Sequence, residues 1–194
     1  MNSIIRQMTV MMAALAVVWS ATGVSAQDDL HDKVTAYLVP GGASESAVLE
    51  LWMSNVNNVL ALCLPFKFAA GDSLIFDSLV TRGGRAQDFA IVKPVFRPEN
   101  QTLLINLMWA KDTTYEAPPI PPGSGPLMRV YLSTPYPFPM KDFQMASVQL
   151  PPQNVLMFVT ESLNSVTPDF EFSREAPPGP WGGTAQSPKT DGPK

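Results

Sequence analysis

Residues 59–68 read VLALCLPFKF, and this stretch decides the fold class. Leu60, Leu62, Leu64, Phe66 and Phe68 fall on one side of an extended chain. Val59, Ala61, Cys63, Pro65 and Lys67 fall on the other. Strand side chains alternate between faces, so a two-residue apolar repeat marks a strand with one buried face. Pro65 has no N–H to give to a ladder and is expected at an edge or a bulge, as is Pro94.

The same alternation extends outward in both directions. Upstream, in residues 46–53, Leu49, Leu51 and Met53 share a face opposite Val48, Glu50 and Trp52. Residues 33–39 precede them, followed by a Pro40-Gly41-Gly42 turn. Downstream, strands are expected at 74–81, 88–96, 102–110, 127–133, 145–150, 155–160 and 169–173. Helical signals are nearly absent. About nine short strands separated by turn residues read as an all-β, antiparallel sandwich.

The ends of the chain have a different composition. Arg6, the apolar run MTVMMAALAVVW at 8–19 and the small residues Val24-Ser25-Ala26 form a signal peptide over 1–26. The chain is therefore expected to be exported, to an extracellular or periplasmic site. Residues 27–173 are expected to form the β-sandwich. Residues 174–194, rich in Pro, Gly, Ser and Thr, are expected to be a disordered tail. No later apolar run approaches the length of a membrane-spanning helix. One further stretch, 110–125 (AKDTTYEAPPIPPGSG), reads as a long Pro-rich connection.

Residue counts exclude several chemistries. The chain carries 13 Lys and Arg against 17 Asp and Glu, a net charge of −4, which argues against nucleic acid or an anionic membrane surface as partner. Cys63 is the only cysteine, so no intramolecular disulfide forms and the core must suffice. His31 is the only histidine and belongs to a segment expected to be a flexible N-terminus. A Cys63–His31 pair is not expected, and these two residues cannot supply an ordinary zinc site. Asp72, Asp77, Asp88, Asp112, Glu116 and Asp142 are scattered near strand ends and read as solvated surface, not as a catalytic pair. Asp112 and Glu116 alone would make only a weak calcium site. No catalytic, metal-binding or cofactor-binding residues are assigned, and no cofactor is expected. Cys63 is expected to pack as a small hydrophobe.

Several segments then align with a known pattern. Asn55-Val56-Asn57-Asn58-Val59-Leu60-Ala61-Leu62 leads into the first-quoted strand, and Leu74-Ile75-Phe76-Asp77-Ser78 follows it. Later come Leu103-Leu104-Ile105-Asn106-Leu107, then Pro122-Gly123-Ser124-Gly125 before Leu127-Met128-Arg129-Val130-Tyr131-Leu132, and finally Val166-Thr167-Pro168-Asp169-Phe170-Glu171-Phe172. In this order they resemble the cohesin-like domains of exported bacterial proteins, flattened jelly-roll sandwiches related to carbohydrate-binding modules. The resemblance implies a jelly-roll sandwich of about nine strands that works by binding. The chain also departs from the cellulosomal pattern. Ala69-Ala70-Gly71-Asp72 replaces a Tyr-Asp-Pro turn, and no dockerin-type calcium loop occurs. The resemblance therefore bears on the fold more than on dockerin binding.

The functional expectation is a secreted, non-catalytic module that binds a secreted or cell-surface protein through a sheet face. The alternative is a carbohydrate-binding module recognising a polysaccharide. Leu104, Asn106 and Met108 are candidate partner-binding residues because their strand is apolar on both faces, with Leu103, Ile105, Leu107 and Trp109 opposite them. The Pro-rich connection is the other candidate to cover them. Trp52 is a fourth candidate because it alternates away from Leu49 and Leu51. A flat aliphatic face would favour a protein partner, and a row of exposed aromatics would favour sugar.

Overall fold

The computed structural model describes residues 30–178, apart from 72, 113 and 114. The signal peptide read at 1–26, the tail beyond 178 and the side chains of Asp72, Asp112 and Glu116 lie outside the described residues. The strands are β1 (Lys33–Pro40), β2 (Ser46–Asn55), β3 (Val59–Ala69), β4 (Ile75–Val80), β5 (Ile91–Arg97) and β6 (Thr102–Met108). They continue as β7 (Ala110–Asp112), β8 (Tyr115–Glu116), β9 (Gly123–Ser133), β10 (Gln144–Ser147), β11 (Met157–Thr160), β12 (Ser165–Val166) and β13 (Asp169–Ser173). A single 3-10 turn, Pro98–Asn100, joins β5 to β6.

Two sheets face each other. The first has the order β13-β1-β2-β9-β4; the second has β12-β11-β3-β6-β5, with β10 pairing farther along β3. The chain crosses repeatedly between them, as in a jelly roll. The described strands outnumber the expected nine. The excess comes from short segments such as the β7–β8 pair and β12, which carry too few residues for a readable alternation. One pairing is not antiparallel: β1 runs parallel to β13, from Lys33 opposite Asp169 to Tyr37 opposite Ser173. Strands joined through a whole domain, unlike those of a hairpin, are free to pair in either direction.

The apolar sets identified in the sequence meet between the sheets. Leu49, Leu51 and Met53 of β2 face Leu62, Leu64, Phe66 and Phe68 of β3, all buried. Leu103, Ile105 and Leu107 of β6 and Leu127, Val130 and Leu132 of β9 complete the layer. Phe143, on the β9–β10 connection, closes one edge: its ring lies 5.7 Å from Phe68, 5.4 Å from Phe138 and 5.8 Å from Phe172. Tilted ring pairs at such distances add to simple burial. Arg174 donates from Nη2 to the Phe143 carbonyl (2.7 Å) and lies over the Phe172 ring. The expected tail thus begins with a residue that the domain holds in place.

Three local expectations are corrected. The β3 alternation breaks at its start, where Val59 enters the core and Leu60 stays outside the main cluster. The cause is a bulge: Val159 pairs with Ala61 but Thr160 pairs with Val59, so one residue of β3 is skipped. Pro94 lies on the edge strand β5, as expected, but Pro65 lies in a central strand. Its carbonyl accepts from Val148 N at the break between β10 and β11, so its missing N–H faces a gap in the ladder. From Ala117 onward the Pro-rich connection lies at an end of the sandwich and not over a sheet face. Ile120 exchanges both backbone hydrogen bonds with Val59 and is buried in the core. The connection therefore crosses from one sheet to the other at an end of the sandwich.

The same end is tied by Arg85. Its Nη1 donates to the carbonyls of Gly123 (2.8 Å) and Met53 (3.3 Å), and its Nη2 donates to that of Pro121. Asn55, fully buried, adds hydrogen bonds to the carbonyls of Asn57 and Pro121. At the start of β1, Ser54 Oγ donates to the His31 carbonyl and Val56 N to Asp32 Oδ1. The segment expected to be a loose N-terminus is therefore anchored from residue 31 onward.

Candidate functional site

Register across the second sheet builds one continuous outer face. Ile91, Met108, Ala61 and Val159 share one row; Lys93, Asn106, Cys63 and Met157 share the next. Val95, Leu104 and Pro65 form the third, and Arg97, Thr102 and Lys67 close the face at one end. Three of the four candidate residues thus lie together, on successive outward positions of β6. Met108 is 47% exposed and Val95 37% exposed. Leu104 and Asn106 between them are half-buried.

Over the middle of β3 this face is shielded, at Cys63 and Pro65, whereas Lys67 at its end is exposed. Cys63 is buried, and its Sγ lies 4.0 Å from Asn154 Oδ1. Burial pushes the thiol pKa upward, away from the thiolate that nucleophilic or redox chemistry requires. The inert packing expected of Cys63 matches this setting. His31 lies at the start of β1 on the other sheet, its Nε2 3.9 Å from an Asp169 carboxylate oxygen. Among the described residues no group of three His, Cys, Asp or Glu side chains converges as a metal site would require.

Trp52 does not join the other three. It belongs to the outer face of the first sheet, which has a different character. Glu50 is fully buried there, although it projects away from the core. Arg129, its cross-strand neighbour on β9, donates from both Nε and Nη2 to Glu50 Oε1, each at 3.0 Å. Burial pushes the Glu50 carboxyl pKa above its ordinary value, and Arg129 opposes that shift. Glu50 Oε2 and the Trp52 indole N–H are buried and do not meet in hydrogen-bond geometry. Tyr37 packs edge-on to Trp52 with ring centroids 6.1 Å apart, and Val48, Tyr131 and Val80 form a small second apolar cluster.

Sequence reasoning missed Lys93, Val95, Met157 and Val159 as members of the second sheet's outer face. The alternation Ile91, Lys93, Val95, Arg97 against Val92, Pro94, Phe96 was the available signal. It lacked only the knowledge that β5 lies beside β6.

Comparison with known proteins agrees on the fold. No family model matches the chain, and no curated protein matches it in sequence. Among solved structures it is similar to the sixth cohesin of scaffoldin B from Acetivibrio cellulolyticus, recorded in complex with a dockerin. That match has 13% identity and a TM-score of 0.52, and covers 75% of this chain and 99% of that one. It is also similar to a type I cohesin–dockerin complex from Clostridium thermocellum, at 10% identity and a TM-score of 0.51, covering 76% and 96%. A type II cohesin module of the ScaA scaffoldin from Acetivibrio cellulolyticus gives 12%, 0.50, and coverage of 74% and 94%. The domain therefore has a cohesin-like fold.

Proposed function

We propose that this chain is an exported, non-catalytic module that binds another protein through the outer face of its second sheet. One observation carries the reading: the face around Leu104, Asn106 and Met108 is aliphatic, open over β5 and β6, and free of aromatic side chains at its outward strand positions. A sugar platform would need flat exposed rings. The outer-face rings that do occur, Tyr37, Trp52 and Tyr131, belong to the other sheet, where Tyr131 is buried and Trp52 packs against Tyr37. An aliphatic strip with one polar residue at its centre suits a folded protein surface. The cohesins recorded with bound dockerins provide a precedent for partner binding by this fold. The signal peptide read at 1–26 supports export.

The test is capture of secreted proteins on immobilised chain, comparing wild type with a Leu104→Glu/Met108→Glu variant. The variant is expected to keep its unfolding transition and lose its partner. Retention of every partner, or selective capture of polysaccharide, would overturn the reading.

A further inference from the structure

We infer that the partner is an acidic polypeptide, one whose aliphatic ridge is flanked by Asp or Glu side chains; this rests on the docking face proposed above. The chain is net negative, yet the charged residues at the outward strand positions of that face are all basic, and Glu99 lines the same hollow as Lys67 at its end. Lys67, Lys93 and Arg97 occupy outward positions of β3 and β5, and all three are exposed. No Asp or Glu occurs in β3, β5, β6 or β11.

Four other cations are held: Lys33 is bridged to Glu171 and Arg129 to Glu50, while Arg85 and Arg174 are held by backbone carbonyls. Lys67, Lys93 and Arg97, like the exposed Arg82 and Lys141, make no salt bridge among the described residues. Their placement specifies what a partner must bring. Lys93 stands between Ile91 and Val95 on one face of β5, beside Asn106. A surface that reaches from Met108 to Leu104 along β6 therefore passes over or against it. A cation removed from water without a counter-charge is costly, and a carboxylate opposite it offsets that cost. Lys67 and Arg97 flank Thr102 and extend the demand to the end of the face. A basic partner would meet like charge at all three positions, which slows encounter and destabilises the complex.

The experiment uses the purified chain and two synthetic helical peptides that share one leucine stripe, flanked by Glu in one and by Lys in the other. The Glu peptide is expected to bind, with affinity falling about tenfold or more between roughly 0.05 and 0.5 M salt. A Lys67→Glu/Lys93→Glu/Arg97→Glu variant, which alters only exposed side chains, is expected to weaken the Glu peptide at least about tenfold and to gain affinity for the Lys peptide. Equal binding of both peptides, binding of neither, or binding only to vesicles of mixed phosphatidylcholine and phosphatidylglycerol would overturn the inference. If Leu104→Glu/Met108→Glu removes the captured partner but the charge-reversed variant does not, the docking face stands and the acidic partner falls. If neither variant changes capture, both fall.

Discussion

The two outer faces of this sandwich start from similar sequence patterns and reach opposite states. On the first sheet, Glu50 and Arg129 are adjacent across β2 and β9 and form an ion pair. On the second sheet, Lys67, Lys93 and Arg97 make no salt bridge among the described residues, and Val95 and Met108 stand open to water. Apolarity does not separate the two faces, since both carry several apolar residues. What separates them is whether the charged side chains form ion pairs among the described residues. A face that satisfies its own charges has little left to offer, whereas one that leaves them unpaired is prepared for a second molecule.

The largest effect would break both faces at once. Leu64 is fully buried beneath the second sheet, so Leu64→Ala should cost on the order of 2–5 kcal/mol and weaken partner capture only through unfolding. Urea titration should show one shifted cooperative transition; two transitions would divide the domain. Next comes Arg129→Ala, which strands the buried Glu50 carboxylate. The expected loss is on the order of 2 kcal/mol, less than for a fully enclosed pair because Arg129 keeps some solvent contact. Capture through the other face should survive, and a parallel loss of both would merge the two faces into one site.

Smaller in stability, but sharper in contrast, is Val95→Glu. The side chain is 37% exposed, so the change should stay within about 0.5 kcal/mol of wild type while capture falls. Stability loss of a core-like size would mean that Val95 is covered. The smallest effect is a pH slope. The folded pKa of Glu50 lies above its unfolded value, so between the two the native state holds the extra proton. Stability should therefore fall as pH rises through that window and be free of the penalty below it. Glu50→Gln should flatten the slope in this window. An unchanged slope in the variant would assign it to another group.

Much of this was legible in the chain. The β3 and β2 alternations identify residues that do fill the core, because a two-residue period needs no knowledge of the partner strand. The strand of Leu104, Asn106 and Met108 also announced itself through apolar residues on both sides. What remained hidden depended on pairing. Alternation tells which side of its own strand Trp52 occupies, but not which sheet that strand joins. Alternation alone therefore groups Trp52 with residues that lie on the opposite side of the molecule. Glu50 reads as surface until β9 places Arg129 beside it. The bulge that sends Val59 inward, and the bridge that draws Ile120 into the core from a proline-rich stretch, arise from contacts between distant segments.

The parallel pairing of β1 with β13 has a mechanical consequence. Tension applied through residue 32 at one end and residue 174 at the other would pull these neighbours along their own axes in opposite senses. All the hydrogen bonds between Lys33–Asp169 and Tyr37–Ser173 would then bear the load together, in shear. An antiparallel pair pulled from the same edge would open one bond at a time, like a zip. The sheet edge that joins the two ends of the domain is thereby also its clamp against stretching.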